Sequence, residues 1–244
     1  IVTNHRCHGH FIAYGGDMRA LFAELMGKAT GVCGGRGGSQ HIHWRNLYSN
    51  GVQGGIVPIA AGMALAEKRL KSGAIVTVFI GDGTMGEGVI YEAFNMARIW
   101  ELPLLVVVEN NHIAQTTPAA LTIAGSIADR FKAFAIPCVE LDTSDVLEIA
   151  AAARDSIAQV RNSCSPRALI LNTARFGPHS KGDDTRPESE IQLLREKRDP
   201  IMILRKKLDP VEAELVEVEV KAEIDTAFQK ALSDPVATFD EVSR

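Results

Sequence analysis

The sequence predicts an α/β fold whose core is a doubly wound, mostly parallel sheet, followed by C-terminal helices. Residues 74–80 (AIVTVFI) form an unbroken apolar run rich in β-branched side chains, which is typical of a strand buried on both faces. Residues 89–100 have a helical pattern, and LPLLVVVE at 102–109 returns to strand. A strand–helix–strand unit of this length makes a right-handed crossover between parallel strands. We therefore expect both strands to end at the same edge of the sheet, where open α/β sheets bind ligands.

The remaining elements follow from capping residues, prolines and apolar spacing. Asp17 is expected to cap a helix over 17–26, and Pro58 to stand in the first turn of a helix over 59–70. The further predicted elements are a helix at 128–134, a strand at 138–141, a helix at 145–161, a strand at 168–172, a polar loop at 175–186 and three helical segments after Glu188, broken at Pro200 and Pro210. No internal repeat is visible.

Composition limits the class of protein. A chain of 244 residues with 46% apolar composition can bury one substantial core. We expect one domain over residues 1–244, with residues 188–244 as its helical C-terminal extension. The 26 basic and 30 acidic side chains give a net charge of −4, too mild to indicate nucleic acid or a membrane as a partner. No apolar run approaches the roughly 20 residues that a membrane-spanning helix needs.

Cysteine usage indicates the compartment. The four cysteines are Cys7, Cys33, Cys138 and Cys164. They lie far apart without a C-x-x-C pair, which favours reduced thiols in a cytoplasmic, bacterial protein, with the mitochondrial matrix as the alternative. The chain does not begin with Met, and we expect it to be a truncated or partly ordered product that lacks an N-terminal segment.

The glycine turn after the first predicted strand carries an unusual acid. Residues 81–86 (GDGTMG) match the dinucleotide fingerprint G-x-G-x-x-G, so a nicotinamide dehydrogenase is one alternative. However, Asp82 would place a carboxylate beside the bound phosphates, and like charges about 4 Å apart repel by about 4 kcal/mol at a dielectric of about 20. A Mg²⁺ ion between them removes this repulsion. Asn111, 29 residues after Asp82, adds a neutral oxygen from the neighbouring strand end, which predicts a metal-bridged diphosphate.

These residues carry a family resemblance. GDG followed about 30 residues later by NN resembles the thiamine diphosphate motif. The chain resembles the alpha subunit of the decarboxylating component of 2-oxo acid dehydrogenase complexes of the pyruvate, branched-chain and acetoin type. The further matching blocks are HRCHGH at 5–10, MGKATGVCGGRGGSQHIH at 26–43, NGVQGGIVPIAAGMALA at 50–66, ARFGPHSKGDDTR at 174–186 and EKRDPI at 196–201. They occur in one order over most of the chain and imply a thiamine diphosphate-binding fold.

The resemblance implies a set of site residues. The implied Mg²⁺ ligands are Asp82, Asn111 and the backbone carbonyl of Ile113, with Asn110 as the alternative amide. The implied cofactor contacts are Arg6, Gly51, Gln53, Asp82, Gly83, Thr84, Asn111, Arg175 and His179. The implied catalytic residues are His179 and His8, because histidine handles protons near neutral pH. Ser180 stands where some eukaryotic members are phosphorylated.

Individual roles follow from the same resemblance. Arg6 and Arg175 would hold the diphosphate through their guanidinium groups. The loop with Gly51 and Gln53 would hold the aminopyrimidine ring through its backbone. Residues 83–84 would begin the helix and offer backbone N–H groups to the diphosphate.

Less specific interpretations of these residues stay open. Asp82 could have no role beyond accepting hydrogen bonds from the amides of its turn, and Arg6 and Arg175 could be solvated surface arginines. A zinc site could use side chains from the group His5, Cys7, His8, His10, His41 and His43, although their spacing fits no common zinc finger. His5 and Ile113 stand where relatives often carry Tyr. The change at Ile113 matters little, since any residue supplies a backbone carbonyl.

The resemblance also implies partners. In the family, a glutamate on a separate beta chain contacts the cofactor's pyrimidine ring, and neither Glu87 nor Glu109 matches it. We therefore expect an α₂β₂ heterotetramer that is active only with the beta subunit and passes an acyl group to a lipoyl-bearing acyltransferase. The substrate, a small 2-oxo acid or acetoin, stays open. HSKGDDTR leans towards branched-chain members, and HGHFIAYGGDMR towards acetoin and pyruvate members. The sequence is also compatible with one half of a split transketolase and with a non-enzymatic, cofactor-binding remnant.

Overall fold

The computed structural model describes residues 1–180 and 182–238. Lys181 of the predicted polar loop and residues 239–244 of the predicted C-terminal extension lie outside the described residues. The chain divides into two compact units, the first formed by the described parts of 1–52 and 208–244, the second by those of 53–207. The expectation of a single domain over 1–244 stays a prediction.

The regular elements are numbered in chain order over both units. The strands are β1 (Val2–Thr3), β2 (His43–Trp44), β3 (Leu47–Ser49), β4 (Val76–Gly81), β5 (Leu104–Asn110), β6 (Ile113–Ala114), β7 (Thr117–Pro118), β8 (Cys138–Leu141) and β9 (Arg167–Asn172). The α-helices are α1 (His8–Ala13), α2 (Met18–Leu25), α3 (Gln53–Leu70), α4 (Gly88–Ile99), α5 (Ile127–Ala133), α6 (Val146–Ser163), α7 (Glu188–Arg198), α8 (Pro200–Arg205) and α9 (Pro210–Ser233). Short 3₁₀ turns cover Asp82–Gly86 and Ala119–Leu121. None of the helices in the described residues is both long and apolar enough to cross a membrane.

The second unit contains the predicted parallel sheet, with strands in the order β4-β5-β9-β8. β5 is its centre, and its residues 104–108 are at most 4% exposed, as expected for a strand covered on both faces. Gly81 of β4 pairs with Glu109 of β5. The two strands therefore end at the same edge, and the predicted α/β fold is confirmed.

The first unit has a smaller sheet, in which β3 pairs parallel with β1 and antiparallel with β2. α2 begins as predicted after Asp17, whose carboxylate accepts a hydrogen bond from the Ala20 N–H at 2.6 Å. α9 packs on α2 through an edge-to-face contact of Phe22 with Phe228, with ring centroids 5.5 Å apart. This aromatic contact ties the C-terminal helix to the glycine-rich N-terminal segment.

The start of α3 differs from the predicted one. The helix begins at Gln53, so Pro58 lies inside it and not in its first turn. The Glu87 carboxylate accepts a hydrogen bond from the Gly54 N–H at 3.0 Å and so stabilises an earlier first turn. Pro58 lacks only the N–H that would bond the carbonyl of Gly54, a loss that the helix tolerates one turn from its start.

Apart from the start of α3, the boundaries of the longer elements lie within two residues of the predicted ones, while the shortest elements were missed. The predicted breaks at Pro200 and Pro210 separate α7, α8 and α9. The sequence pattern did not identify β1, α1, β2, β3 or the β6–β7 hairpin. The strands among these contain two or three residues, which is too short for an alternating pattern to emerge.

Candidate cofactor and metal site

The turn after β4 places Asp82 at the edge of the sheet. Residues 82–86 form a 3₁₀ turn, and Glu87 is extended, with φ −88° and ψ 130°, before α4 starts at Gly88. The prediction that Gly83 and Thr84 begin the α-helix is therefore wrong, because Glu87 leaves helical geometry between the turn and α4. Any backbone donors that Gly83 and Thr84 offer come from the 3₁₀ turn.

The Asp82 carboxyl is buried and only half satisfied. The residue is 3% exposed, and its Oδ1 accepts a hydrogen bond from the Gly83 N–H at 3.0 Å. Its Oδ2 is buried and has no hydrogen-bond partner among the described residues. Burial raises the pKa of this carboxyl above 3.8, while the Gly83 N–H and the charges of His112 and Arg175 act to lower it. A divalent cation at Oδ2 would supply the missing partner, so the residues present fit Mg²⁺.

The loop after β5 carries the two candidate asparagines. Asn111 Oδ1 accepts a hydrogen bond from the Ile113 N–H at 3.1 Å. Asn110 is 6% exposed and engaged at both ends of its amide. Its Nδ2 donates to Asn172 Oδ1 at 2.7 Å, and its Oδ1 accepts from the His112 N–H at 3.2 Å. This geometry favours Asn111 over Asn110 as the amide ligand.

The β6–β7 hairpin lies against the Asp82 turn. A Cβ atom added to Gly83 would lie 2.7 Å from the Cβ of Ala114, the residue after Ile113. A side chain at position 83 would therefore displace the hairpin. Glycine at this position allows the loop with the Ile113 carbonyl to approach the turn that carries Asp82.

Gln53 connects α3 to the same turn. The Thr84 hydroxyl donates to Gln53 Oε1 at 2.9 Å, and the Gly81 N–H donates to it at 3.3 Å. Thr84 is 3% exposed, so its hydroxyl is engaged inside the protein. Gly51 belongs to the first unit, where an added Cβ would lie 2.7 Å from Gln40 Oε1.

Arg175 offers buried donors on the polar loop after β9. Its side chain is 15% exposed, and its Nη1 donates to the Gln115 carbonyl at 2.8 Å. Its Nε and Nη2 are buried and make no hydrogen bond to the described residues, although Nη2 lies 3.8 Å from Asp184 Oδ2. Asp184 itself is held by Arg186 through bonds of 2.9 and 2.7 Å. The guanidinium N–H groups of Arg175 that make no hydrogen bond to the described residues fit an anionic ligand such as a diphosphate.

The Asp184–Arg186 pair leads to a pH prediction. The hydrogen bond from Arg186 lowers the pKa of the Asp184 carboxyl from 3.8 to about 2. The stabilisation that ionised Asp184 contributes is therefore complete above pH 3.8, the pKa of the carboxyl in the unfolded chain, and is lost as the pH falls towards 2. We expect Asp184→Asn to unfold at a lower temperature than wild type near neutral pH, with the difference shrinking across this acid range. Thermal unfolding at a series of pH values measures it, with the exposed Asp155→Asn as control; a difference independent of pH would contradict the assignment.

His179 lies on the same loop beside two polar side chains. Its Nδ1 is 3.1 Å from Ser180 Oγ and 3.8 Å from Asp183 Oδ2. The Ser180 N–H donates to both carboxylate oxygens of Asp183 at 2.9 Å. Asp183 therefore orders the backbone beside His179, whose side chain is 30% exposed. The phosphorylation of Ser180 stays a prediction.

Two candidate residues belong to the first unit. His8 is the first residue of α1, and its Nε2 lies 3.0 Å from Ser39 Oγ. Burial lowers the pKa of the His8 imidazole, the charge of Arg6 lowers it further, and the backbone of Ser39 opposes both. His8 is therefore neutral near pH 7 and can accept a proton. Arg6 is exposed in the turn before α1.

Glu24 is a structural residue that the sequence pattern did not single out. Its carboxylate is fully buried and accepts four backbone hydrogen bonds at 2.6–3.0 Å. The donors are Cys33, Gly35, Gly37 and Gly38. Glu24 therefore organises the glycine-rich loop that also carries Ser39. An acid three residues after Leu21, on the apolar face of α2, was the available signal.

The zinc interpretation gains no support from the structure. Across 1–180 and 182–238, no three His, Cys, Asp or Glu side chains are grouped to bind a metal ion. The candidate Mg²⁺ site needs no such group, because an amide and a backbone carbonyl would complement the single carboxylate of Asp82.

The chain is similar to known proteins along its whole length. The family described as "Dehydrogenase E1 component" matches residues 1–240. The chain is 35% identical to the pyruvate dehydrogenase E1 component subunit alpha of Zymomonas mobilis, covering 99% of this chain and 72% of that protein. It is 33% identical to the testis-specific mitochondrial form of this subunit from Rattus norvegicus and 35% identical to the somatic mitochondrial form from Homo sapiens.

Coverage of these relatives is incomplete. The chain spans 64% of the length of the rat and human proteins, while 100% and 99% of this chain, respectively, is aligned. The match nevertheless includes the strand ends that carry Asp82 and Asn111, the polar loop with Arg175, and the glycine-rich segment around Glu24. The chain therefore belongs to the dehydrogenase E1 component family, is similar to its alpha subunits, and by this membership is implied to use thiamine diphosphate.

Proposed function

We propose that the chain is the alpha subunit of a thiamine diphosphate-dependent 2-oxo acid or acetoin dehydrogenase. The observation that carries this proposal is the buried Asp82 carboxylate, whose Oδ2 has no hydrogen-bond partner among the described residues. It lies where β4 ends, beside the strand that leads into Asn111. A cation bound there would join the protein to an anionic cofactor.

Each binding residue has a distinct task in this proposal. Asp82, Asn111 and the Ile113 carbonyl hold Mg²⁺, and Arg175 holds the diphosphate through Nε and Nη2, which make no hydrogen bond to the described residues. Gln53 holds the Asp82 turn against α3 through Thr84 and Gly81. The resemblance to the family motif also assigns cofactor contacts to Arg6 and Gly51 of the first unit, and to the backbone of Gly83 and Thr84.

The two histidines handle protons. When bound, thiamine diphosphate supplies an electron sink for the decarboxylation of a 2-oxo acid. His8 is kept neutral by burial and is suited to accept a proton. His179 is oriented by contacts with Ser180 and Asp183 and is the second proton-transfer group.

The proposal includes a beta subunit and an α₂β₂ assembly. A carboxylate is needed at the pyrimidine side of the cofactor, and the structure offers a reason why Glu87 does not supply it. Glu87 accepts a hydrogen bond from the Gly54 N–H and stabilises the start of α3. The relatives are named as alpha subunits of an E1 component, which supports a separate partner chain and transfer of the acyl group to a lipoyl-bearing acyltransferase.

Pyruvate is the first substrate to test, because the relatives are named pyruvate dehydrogenases. Branched-chain 2-oxo acids and acetoin complete the screen. The relatives include mitochondrial forms and one from Zymomonas mobilis, and we propose a bacterial cytoplasmic location with the mitochondrial matrix as the alternative.

Calorimetry of the chain with its beta partner tests the proposal. We expect thiamine diphosphate to bind with Mg²⁺ and to lose affinity when a chelator is added. We expect the pair to decarboxylate a 2-oxo acid or cleave acetoin, and the chain alone to be inactive. Cofactor affinity unchanged by chelator would overturn the metal assignment. Tight NAD binding without Mg²⁺ would favour a nicotinamide dehydrogenase. Ketose transfer by the pair would favour a split transketolase, and cofactor binding without any activity would favour a non-enzymatic remnant.

A further inference from the structure

We propose that Asn172 is a positioning residue for the Mg²⁺-binding loop and acts through a directional hydrogen-bond relay that begins at Glu140. The inference rests on the proposed function, since it concerns the loop that carries Asn111 and Ile113. Neither Glu140 nor Asn172 belongs to the motif that identifies the family site.

The relay crosses three neighbouring parallel strands of the second unit. Asn110 and Asn172 are the last residues of β5 and β9 and stand opposite each other in the register. Asn110 Nδ2 donates to Asn172 Oδ1 at 2.7 Å, and Asn172 Nδ2 donates to Glu140 Oε1 of β8 at 3.0 Å. The three side chains therefore form one continuous chain of hydrogen bonds along the sheet edge.

Glu140 sets the direction of this relay. An ionised carboxylate can only accept, so Asn172 must turn its NH₂ group towards Glu140 and its oxygen towards Asn110. Asn110 must then turn its own NH₂ group towards Asn172, which directs its oxygen to the His112 N–H at 3.2 Å. Each amide orientation follows from the previous one.

The relay ends at the turn that presents the metal ligands. His112 has φ +63°, a left-handed backbone conformation that residues other than glycine rarely adopt. The Asn110 oxygen stabilises this conformation by accepting the His112 N–H. His112 separates Asn111 from Ile113, so its conformation determines where the amide of Asn111 and the carbonyl of Ile113 lie.

The backbone of Asn172 is anchored separately from its side chain. Arg198 of α7 donates to the Asn172 carbonyl through Nη2, and its Nη1 contacts Asp142. A substitution of the Asn172 side chain leaves these contacts in place. It therefore tests the relay without removing the attachment of α7 to the sheet.

Two variants break the relay in different ways. Asn172→Leu removes the acceptor for Asn110 at similar volume, and we expect it to lower metal affinity about 10- to 100-fold, the usual effect of losing a partner behind a metal ligand. Glu140→Lys changes an exposed side chain and replaces an acceptor by a donor, which removes the acceptor that fixes the orientation of Asn172. It provides the same test if Asn172→Leu fails to assemble.

A double variant restores the direction of the relay. In Asn172→Asp/Glu140→Gln, the carboxylate at position 172 accepts from Asn110 and from the new amide at position 140, at unchanged net charge. We expect metal affinity within about threefold of wild type, since the Asn110 orientation is kept. Asn162→Leu, at an exposed position of α6, is the matched control.

The readout is Mn²⁺ binding, measured by electron paramagnetic resonance on the assembled protein with thiamine diphosphate, with thermal unfolding of each variant alongside. Weaker Mn²⁺ binding in Asn172→Leu or Glu140→Lys, restored in the double variant, supports the relay. Wild-type affinity in both relay-breaking variants, or equal loss in the double variant, overturns the relay alone. Failure of the wild type to bind Mn²⁺ overturns the proposed function and the relay together.

Discussion

Asp82→Asn is expected to abolish metal-dependent binding of thiamine diphosphate while leaving the chain without cofactor at least as stable as wild type. The two effects have opposite signs because the carboxylate serves a ligand and not the fold. Its Oδ2 is buried without a hydrogen-bond partner in the described part of the chain, so the charge is only partly compensated until a cation binds. An amide removes this charge and keeps the shape of the side chain.

The size of the binding loss follows from the charge that is removed. A unit charge about 4 Å from a cation is worth about 4 kcal/mol at a dielectric of about 20, and the second charge of a divalent ion doubles the attraction. We therefore expect cofactor affinity with Mg²⁺ to fall by at least about a thousandfold. Calorimetry with Mg²⁺ measures the loss, and Asp155→Asn on the exposed face of α6 is the control.

The stability of this variant has a defined pH dependence. Burial raises the pKa of the Asp82 carboxyl above 3.8, so the folded chain binds this proton more tightly than the unfolded chain. The wild type therefore loses stability as the pH rises from 3.8 towards the folded pKa, and the Asn variant does not. Unfolding without metal should show that the free energy of unfolding of the variant rises relative to that of wild type as the pH increases across this range. A variant that is clearly less stable at neutral pH would show that the carboxylate has a structural role.

Glu24→Gln is expected to produce the largest loss of stability. The carboxylate of Glu24 is fully buried and accepts two backbone N–H groups on each oxygen. Glutamine replaces one acceptor by an NH₂ group, which would face two donors and leave both unsatisfied. Each unsatisfied buried donor costs about 1–3 kcal/mol, so we expect a loss of roughly 3–5 kcal/mol in the free energy of unfolding.

Denaturant unfolding of the chain with its partner measures this loss. Glu214→Gln, on the exposed surface of α9, is the matched control and should change stability by less than about 0.5 kcal/mol. We also expect the loop over 33–38 to become sensitive to proteolysis, because Glu24 holds its backbone. A change below about 1 kcal/mol for Glu24→Gln would mean that the loop is held by further contacts.

Much of the second unit could be predicted because its signals are local. The run at 74–80 and the helical pattern at 89–100 became β4 and α4, and the parallel pairing of β4 with β5 followed from the length of the connection. The Asp82 turn was predicted to lead directly into the helix at residues 83–84, but the helix begins only at Gly88, after the extended Glu87. Glu87 bonds the Gly54 N–H, 33 residues earlier in the chain, and no local pattern contains that contact.

In the candidate site, too, some features follow from local sequence signals and others from contacts between distant residues. Residue types and spacing were enough to select Asp82 and Asn111 and to infer a metal-bridged diphosphate. They left Asn110 open as the alternative to Asn111, because the two amides are neighbours in sequence. The contact of Asn110 with Asn172, 62 residues away, engages one amide and leaves Asn111 as the favoured ligand.

The sequence by itself determined the α/β class, the parallel strands, the acid and amide at their ends, and the family to which the chain belongs. These properties depend on residue type and on spacing over about 30 residues. Only the tertiary structure decided that Asp82 Oδ2 has no hydrogen-bond partner among the described residues, that Asn110 bonds Asn172, and that Glu24 holds the glycine-rich loop. Burial and hydrogen bonding at these positions depend on groups that folding brings together, and the local pattern around each residue does not contain them.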